Sequence, residues 1–90
     1  MESKFTLASN EVKNLKEDPF TNDQKLNMYS LYKVATVGKC NTTKPGMFDM
    51  KGKAKWNAWN DQGDKTKEDA QTEYVAFVKP HLPADIQAQL

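Results

Sequence analysis

Arginine is missing from this chain: all 13 basic residues are lysine. Arginine is the usual bidentate reader of guanine edges, whereas lysine acts on phosphate as a point charge. Sequence-specific DNA recognition is therefore disfavoured, while phosphate binding stays open. Cysteine is nearly missing as well. Cys40 stands alone, so no internal disulfide can form and nothing points to an oxidising compartment. There is no long apolar run, and the start Met1-Glu2-Ser3-Lys4-Phe5 has no apolar signal region. That pattern excludes a spanning helix and makes the cytoplasm the expected location. Asn41-Thr42-Thr43 matches a glycosylation acceptor, which matters only in a secreted protein.

Catalytic groupings are equally sparse. The glycines at 38, 46, 52 and 63 are isolated, so no phosphate-cradling loop is spelled out. No Cys/His cluster or carboxylate–histidine spacing suggests a metal, and no cofactor is expected. His81 is the lone histidine, in a proline-flanked segment far in sequence from Cys40. A nucleophile and base would have to meet in space, and nothing here brings these two together. The reading is that of a protein that is not an enzyme.

What is present is charge and helical patterning. Ninety residues with a net charge of +1 make one domain, 1–90, which buries only roughly 60–65% of its unfolded surface. So small a net charge exerts no global pull on anions, and any attraction must be local. Four helices can be read. Phe5, Ala8, Val12 and Leu15 form the stripe of a first helix that Pro19 stops. Thr21-Asn22-Asp23-Gln24 is a capping box opening a second, which carries Leu26, Tyr29, Leu31, Tyr32, Val34, Ala35 and Val37 to a stop at Gly38. Residues 38–49 read as a loop. Asp49 caps a third helix ending near Gly63, and Thr66 opens a fourth with Glu68 and Asp69 in its first turn. Pro80 and Pro83 leave the end of the fourth open. The short connections favour antiparallel neighbours, whereas the long loop can run the length of a bundle and set helices two and three parallel.

The densest pattern is Tyr29-Ser30-Leu31-Tyr32-Lys33. Tyr29, Tyr32 and Lys33 stand at i, i+3 and i+4 and share a helical face. Lys51 and Lys55 repeat the spacing on the third helix, and Tyr74 adds a phenol on the fourth. Spacing leaves two readings open. These residues are core aromatics beside solvated lysines, as Trp56, Trp59 and the Lys51/Lys53/Lys55 run also suggest, or they converge on a ligand with phosphates and a stackable ring.

Taken in order, Tyr29-Ser30-Leu31-Tyr32-Lys33, Ala35-Thr36-Val37-Gly38, Lys44-Pro45-Gly46-Met47-Phe48-Asp49, Lys51-Gly52-Lys53-Ala54-Lys55-Trp56 with Ala58-Trp59, Thr66-Lys67-Glu68-Asp69-Ala70 and Tyr74-Val75 closely resemble the acyl-CoA-binding protein family. The resemblance covers Phe5 to about Val78. It implies an all-α four-helix bundle of up-down-down-up topology with a long connection between helices 2 and 3. The function it implies is that of an intracellular carrier and pool former for long-chain fatty acyl-CoA esters, which does no catalysis. It further implies that Tyr29, Lys33 and Lys55 hold the 3′-phosphate, that Tyr32 stacks on adenine and that Tyr74 contacts the nucleotide part. Lys13, Ser30, Leu31 and Lys51 border the ligand on the same basis. The implied partner is the ester, without nucleic acid or stable membrane insertion, and with transient contact to acyl-CoA-using enzymes or membranes. Three features depart from the family pattern. Lys25 stands where an apolar residue is usual, after a one-residue insertion near Phe20. Lys39-Cys40 follows Gly38 where an acidic and an aliphatic residue are common. Lys79-Pro80-His81-Leu82-Pro83 replaces a lysine-rich helical finish.

Overall fold

The computed structural model describes residues 3–90, and no strand occurs among them. Four main helices follow one another: α1 (Lys4–Lys13), α2 (Asn22–Thr36), α3 (Met50–Asp61) and α4 (Lys67–Val78). A 3-10 turn over Lys79–His81 and a single-turn α5 (Ala84–Gln87) complete the chain.

Each main helix starts where a short polar side chain can replace the missing backbone partner of its first turn. Ser3 accepts from the Thr6 amide, Thr66 from Asp69 and Asp49 from Gly52. The capping box forms in full, with the Gln24 amide donating to Thr21 Oγ1 at 3.2 Å and the Thr21 amide to Gln24 Oε1 at 2.8 Å. Gly52 leaves room for the α3 cap, since a Cβ there would crowd the Asp49 carboxylate and push it from its place. Gly38, at φ +106°, turns the chain off α2 in a conformation that side chains avoid.

One end differs from the sequence reading, and the end of α4, left open there, now has a position. α1 stops at Lys13, with Asn14 as its cap, so Leu15 lies beyond the helix. The Leu15 amide still donates to the Val12 carbonyl at 3.3 Å, a tightened last turn that keeps Leu15 packed on the core. α4 stops at Val78 because Pro80 has no N–H to continue it, and the chain tightens into the 3-10 turn. Leu82 is buried beyond that turn, and Ile86 and Leu90 pack back on the same cluster.

Contacts along α2 fix the topology. Lys55 of α3 reaches Tyr29, whereas Trp59 donates to the Gly38 carbonyl at 2.8 Å just past the end of α2. α3 therefore runs parallel to α2. Gln71, early in α4, donates to the Ala35 carbonyl near the end of α2, while Tyr74 meets Tyr32. α4 is antiparallel to α2. Phe5 at the start of α1 touches Tyr32 and Tyr74, and Val12 near its end lines a cleft with Met28, so α1 runs antiparallel to α2 and therefore with α4. The arrangement is an up-down-down-up four-helix bundle, and residues 37–49 run back along it to make the parallel pair possible.

α2 is packed from both sides. One buried cluster joins Ala8, Met28, Leu31, Tyr74, Val78 and Leu82, and the other joins Val34, Ala35, Trp59 and Ala70. Phe5 packs against both. Leu31 is 3% exposed, and truncating such a side chain to alanine costs about 2–5 kcal/mol by leaving a cavity. Polar groups between the helices are also satisfied. Ser30 Oγ donates to the Asn27 carbonyl at 2.8 Å and accepts from Gln62 Nε2 at 2.7 Å. Lys65 donates to Gln62 Oε1 at 2.7 Å and pairs with Glu73 of α4.

Candidate ligand-binding site

Helical spacing puts exposed Lys25 and half-buried Tyr29 and Tyr32 along one ridge of α2, and a cleft opens on either side of it. The first, about 290 Å3, lies between α1, α2 and α4. Val12 and Lys13 come from α1, Met28 and Tyr32 from α2, and Tyr74 from α4. The second, about 400 Å3, lies between α2 and α3, with Leu26 on one wall and Lys51, Ala54 and Lys55 on the other. Tyr29 and Lys25 line both, so the two clefts meet across α2 as one open bowl.

Aromatic packing orders the floor. Phe5, Tyr32 and Tyr74 form a triangle with ring centroids 5.7, 5.2 and 6.2 Å apart, two contacts tilted and one edge-on. Tyr74 is 4% exposed. Burial, together with the neighbouring Tyr32 phenol, pushes its own phenol up to about 12, so it stays neutral and can donate a hydrogen bond.

Lysines form the rim. The Lys55 ammonium lies 5.4 Å from the centre of the Tyr29 ring, and the Lys33 ammonium lies 4.9 Å from that of Trp59. Both distances are within cation–π range. Lys13, Lys33, Lys51 and Lys55 make no ion pair with a carboxylate among the described residues. Lys25 is different. It pairs with Asp18, and that pairing, helped by the Phe20 amide at 3.0 Å, holds the Asp18 carboxyl below the usual carboxylate range. Uncommitted ammonium groups beside phenols and apolar surface suit a ligand that is polyanionic at one end and greasy at the other.

The residues singled out from the sequence divide accordingly. Lys13, Tyr29, Tyr32 and Tyr74 meet on the first cleft, and Tyr29, Lys51 and Lys55 on the second. Lys33 lines neither cleft and stands beside the second, over Trp59. Ser30 and Leu31, expected to border the ligand, face away from the bowl. Ser30 is 1% exposed and engaged with Gln62, and Leu31 belongs to the core. Lys25, Val12, Met28, Leu26 and Ala54 line the bowl without having been singled out as site residues. Lys25 stands four residues before Tyr29, so the spacing that drew attention to Lys33 marks it equally. A larger cavity, about 600 Å3, lies elsewhere, between the start of α1 and α4 with Leu90 on its wall. It gathers no tyrosine, and its Lys4 and Lys79 share it with Glu68; the chemistry of the bowl therefore outweighs its smaller size.

Fold and site together define a small four-helix module with an open, lysine-rimmed bowl. A family model described as "Acyl CoA binding protein" matches residues 2–78. Acyl-CoA-binding protein homolog 1 of Caenorhabditis elegans is 52% identical over 75 residues, which span 83% of this chain and 86% of that protein. Human enoyl-CoA delta isomerase 2 is 50% identical over 80 residues, 89% of this chain but only 20% of the isomerase. Among solved structures, the crystal structure of Oryza sativa Acyl-CoA-Binding Protein 2 superposes with a TM-score of 0.80 at 40% identity, over 86% of this chain and 83% of that one. The chain belongs to the acyl-CoA-binding protein family.

Proposed function

We propose that this protein binds long-chain fatty acyl-CoA esters through the bowl on α2 and carries them in the cytoplasm, maintaining a protected pool without transforming them. The supporting observation is that Tyr29 joins two clefts, one lined by Tyr32, Tyr74, Val12 and Met28 and the other by Lys51 and Lys55, while Lys33 lies over Trp59 of α3.

Each role follows from chemistry. The 3′-phosphate of coenzyme A is doubly charged, and the ammonium groups of Lys33 and Lys55 with the Tyr29 phenol would neutralise it through charge-assisted hydrogen bonds. The Tyr32 ring, backed by Phe5 and Tyr74, offers adenine a stacking surface that contributes roughly 1–3 kcal/mol. Tyr74 donates to the nucleotide part, and Lys13 and Lys51 flank the remaining phosphates. The acyl chain lies against Val12 and Met28 and gains about 0.8 kcal/mol per buried methylene. Ser30 and Leu31 contribute by holding α2 in place. The ninety residues act as one domain, which has no chemistry of its own to perform on the ester. Its resemblance to the isomerase covers a fifth of that enzyme. No helix among the described residues is long and apolar enough to cross a membrane, and cargo passes to acyl-CoA-using enzymes or membranes by transient contact.

Titration calorimetry of the delipidated protein with palmitoyl-CoA, coenzyme A and palmitate tests the proposal. Tight one-to-one binding of the ester, with both fragments far weaker, is the expected result. An absence of heat and of competition with the ester would overturn it.

A further inference from the structure

A third cleft, of about 340 Å3, lies under the connection between α1 and α2. Leu15, Pro19 and Phe20 form its far wall. Its near wall is Val12, Lys25 and Met28, the same side chains that line the first cleft of the bowl. The two clefts are therefore neighbours, and apolar surface runs from one to the other along Val12 and Met28. The exposed Lys16 and Glu17 complete its lining.

The core holds the far wall in place. The Phe20 ring stacks with Phe77 of α4 at 6.5 Å and meets His81 edge-on at 4.7 Å. Leu15 packs on the cluster that contains Met28 and Val78. The connection is thus anchored to α4 on one side and to α2 on the other.

What stands between the clefts is an ion pair. Asp18 lines the third cleft alone, whereas Lys25 lines both, and their pairing crosses from the connection to α2 beside the shared wall. The Phe20 amide, donating at 3.0 Å, fixes the Asp18 carboxylate in that place. Both partners are about half exposed, and a pair so wet resists opening by at most about fivefold. Each methylene removed from water strengthens binding about fourfold. Two methylenes therefore outweigh the pair, while a chain that ends against it gains nothing by opening it.

Resting on the reading of the bowl as an acyl-CoA site, we propose that the third cleft receives the far end of long acyl chains and that the Asp18–Lys25 pair is the gate they open. A short chain stays against Val12 and Met28. A longer one swings the Lys25 ammonium out into water on its flexible stem and lays its last methylenes on Leu15 and Phe20. Preference for long chains is then set at one step of chain length.

Calorimetric titrations with even-numbered saturated acyl-CoA esters from octanoyl to stearoyl, by competition for the tightest, test this. Affinity should rise about fifteenfold per two-carbon step, except at one step, where opening the gate cuts the gain to about threefold. Asp18→Asn removes the ion pair but leaves an acceptor for the Phe20 amide, and should restore that step to about fifteenfold. Leu15→Trp fills the third cleft and should lower the stearoyl-to-octanoyl affinity ratio by about tenfold or more. Circular dichroism checks the fold of both variants; if Leu15→Trp does not fold, Asp18→Asn decides alone. Equal gains at every step in the native protein, or a native profile in Asp18→Asn, would overturn the gate and leave the bowl's function standing. A native ratio in folded Leu15→Trp would overturn it as well and route the chain end between α2 and α3. A native protein that binds none of the esters would remove the carrier function itself, and the gate with it.

Discussion

The Lys33 ammonium lies 4.9 Å from the centre of the Trp59 indole, on the side of α2 that faces α3. Lys55, one helical turn before Trp59, lies in the same way over Tyr29 at 5.4 Å. Both charges thus rest on aromatic faces, desolvated in part but free of carboxylates, and a phosphate can recruit them without first breaking an ion pair.

Lys33→Ala and Lys55→Ala should each weaken palmitoyl-CoA binding by about ten- to a hundredfold, the range of a lost charge-assisted hydrogen bond. The loss should largely disappear with the dephospho-CoA ester, which lacks the 3′-phosphate. Calorimetric titration of both esters checks this; equal losses for the two would move these lysines to another part of the ligand.

Tyr74 makes stability depend on alkaline pH. Unfolded, its phenol ionises near 10, whereas burial holds the folded value at about 12. Between these values the unfolded chain has lost a proton that the folded chain retains, so rising pH favours unfolding. The contribution is complete below about pH 10 and is lost as pH rises through about 12, by roughly 2–3 kcal/mol. Urea denaturation on either side of that window should show a smaller loss for Tyr74→Phe than for the native protein.

Ser30→Ala should lower stability by about 1–2 kcal/mol, because it strips Gln62 of its partner between the helices. Palmitoyl-CoA affinity should stay within about threefold of native, since Ser30 faces away from the bowl. A large loss of affinity with stability unchanged would place Ser30 at the ligand after all. Denaturation and titration of the same sample decide the matter.

Lys25 lines both clefts with its ammonium drawn to Asp18. Lys25→Leu should extend the apolar surface available to an acyl chain and favour the palmitoyl over the octanoyl ester by roughly threefold or more. Free coenzyme A should bind as before. Titrations with the two esters and coenzyme A measure the ratio, and an unchanged ratio would route the chain away from this position.

Much of the bundle was legible because its signals are local. The Thr21–Gln24 capping box, the Asp49 and Thr66 caps and the turn at Gly38 involve neighbours a few residues apart, and all appear as read. The end of α1 was less legible, since Leu15 continues the apolar stripe although the helix has already stopped at Lys13. The stripe reports burial, and a tightened turn buries a side chain as well as a helix does. The site divides along the same line. Tyr29, Tyr32 and Lys55 follow from helical spacing, whereas Ser30 and Leu31 came in with the surrounding motif. They stand about 100° and 200° round the helix from Tyr29, which turns them to other neighbours.

The order of residues by itself determined the four helices, the long connection between the second and third, and which face of α2 carries the tyrosines, because caps, prolines and a period of 3.6 act within one or two turns. Only the tertiary structure decided that α3 lies parallel to α2 with Lys55 over Tyr29 and Lys33 over Trp59, that Lys25 is drawn to Asp18, and that Phe48 is left in water. These depend on contacts between segments far apart in the chain, and no local pattern specifies which of two apolar residues finds a partner in the core and which does not.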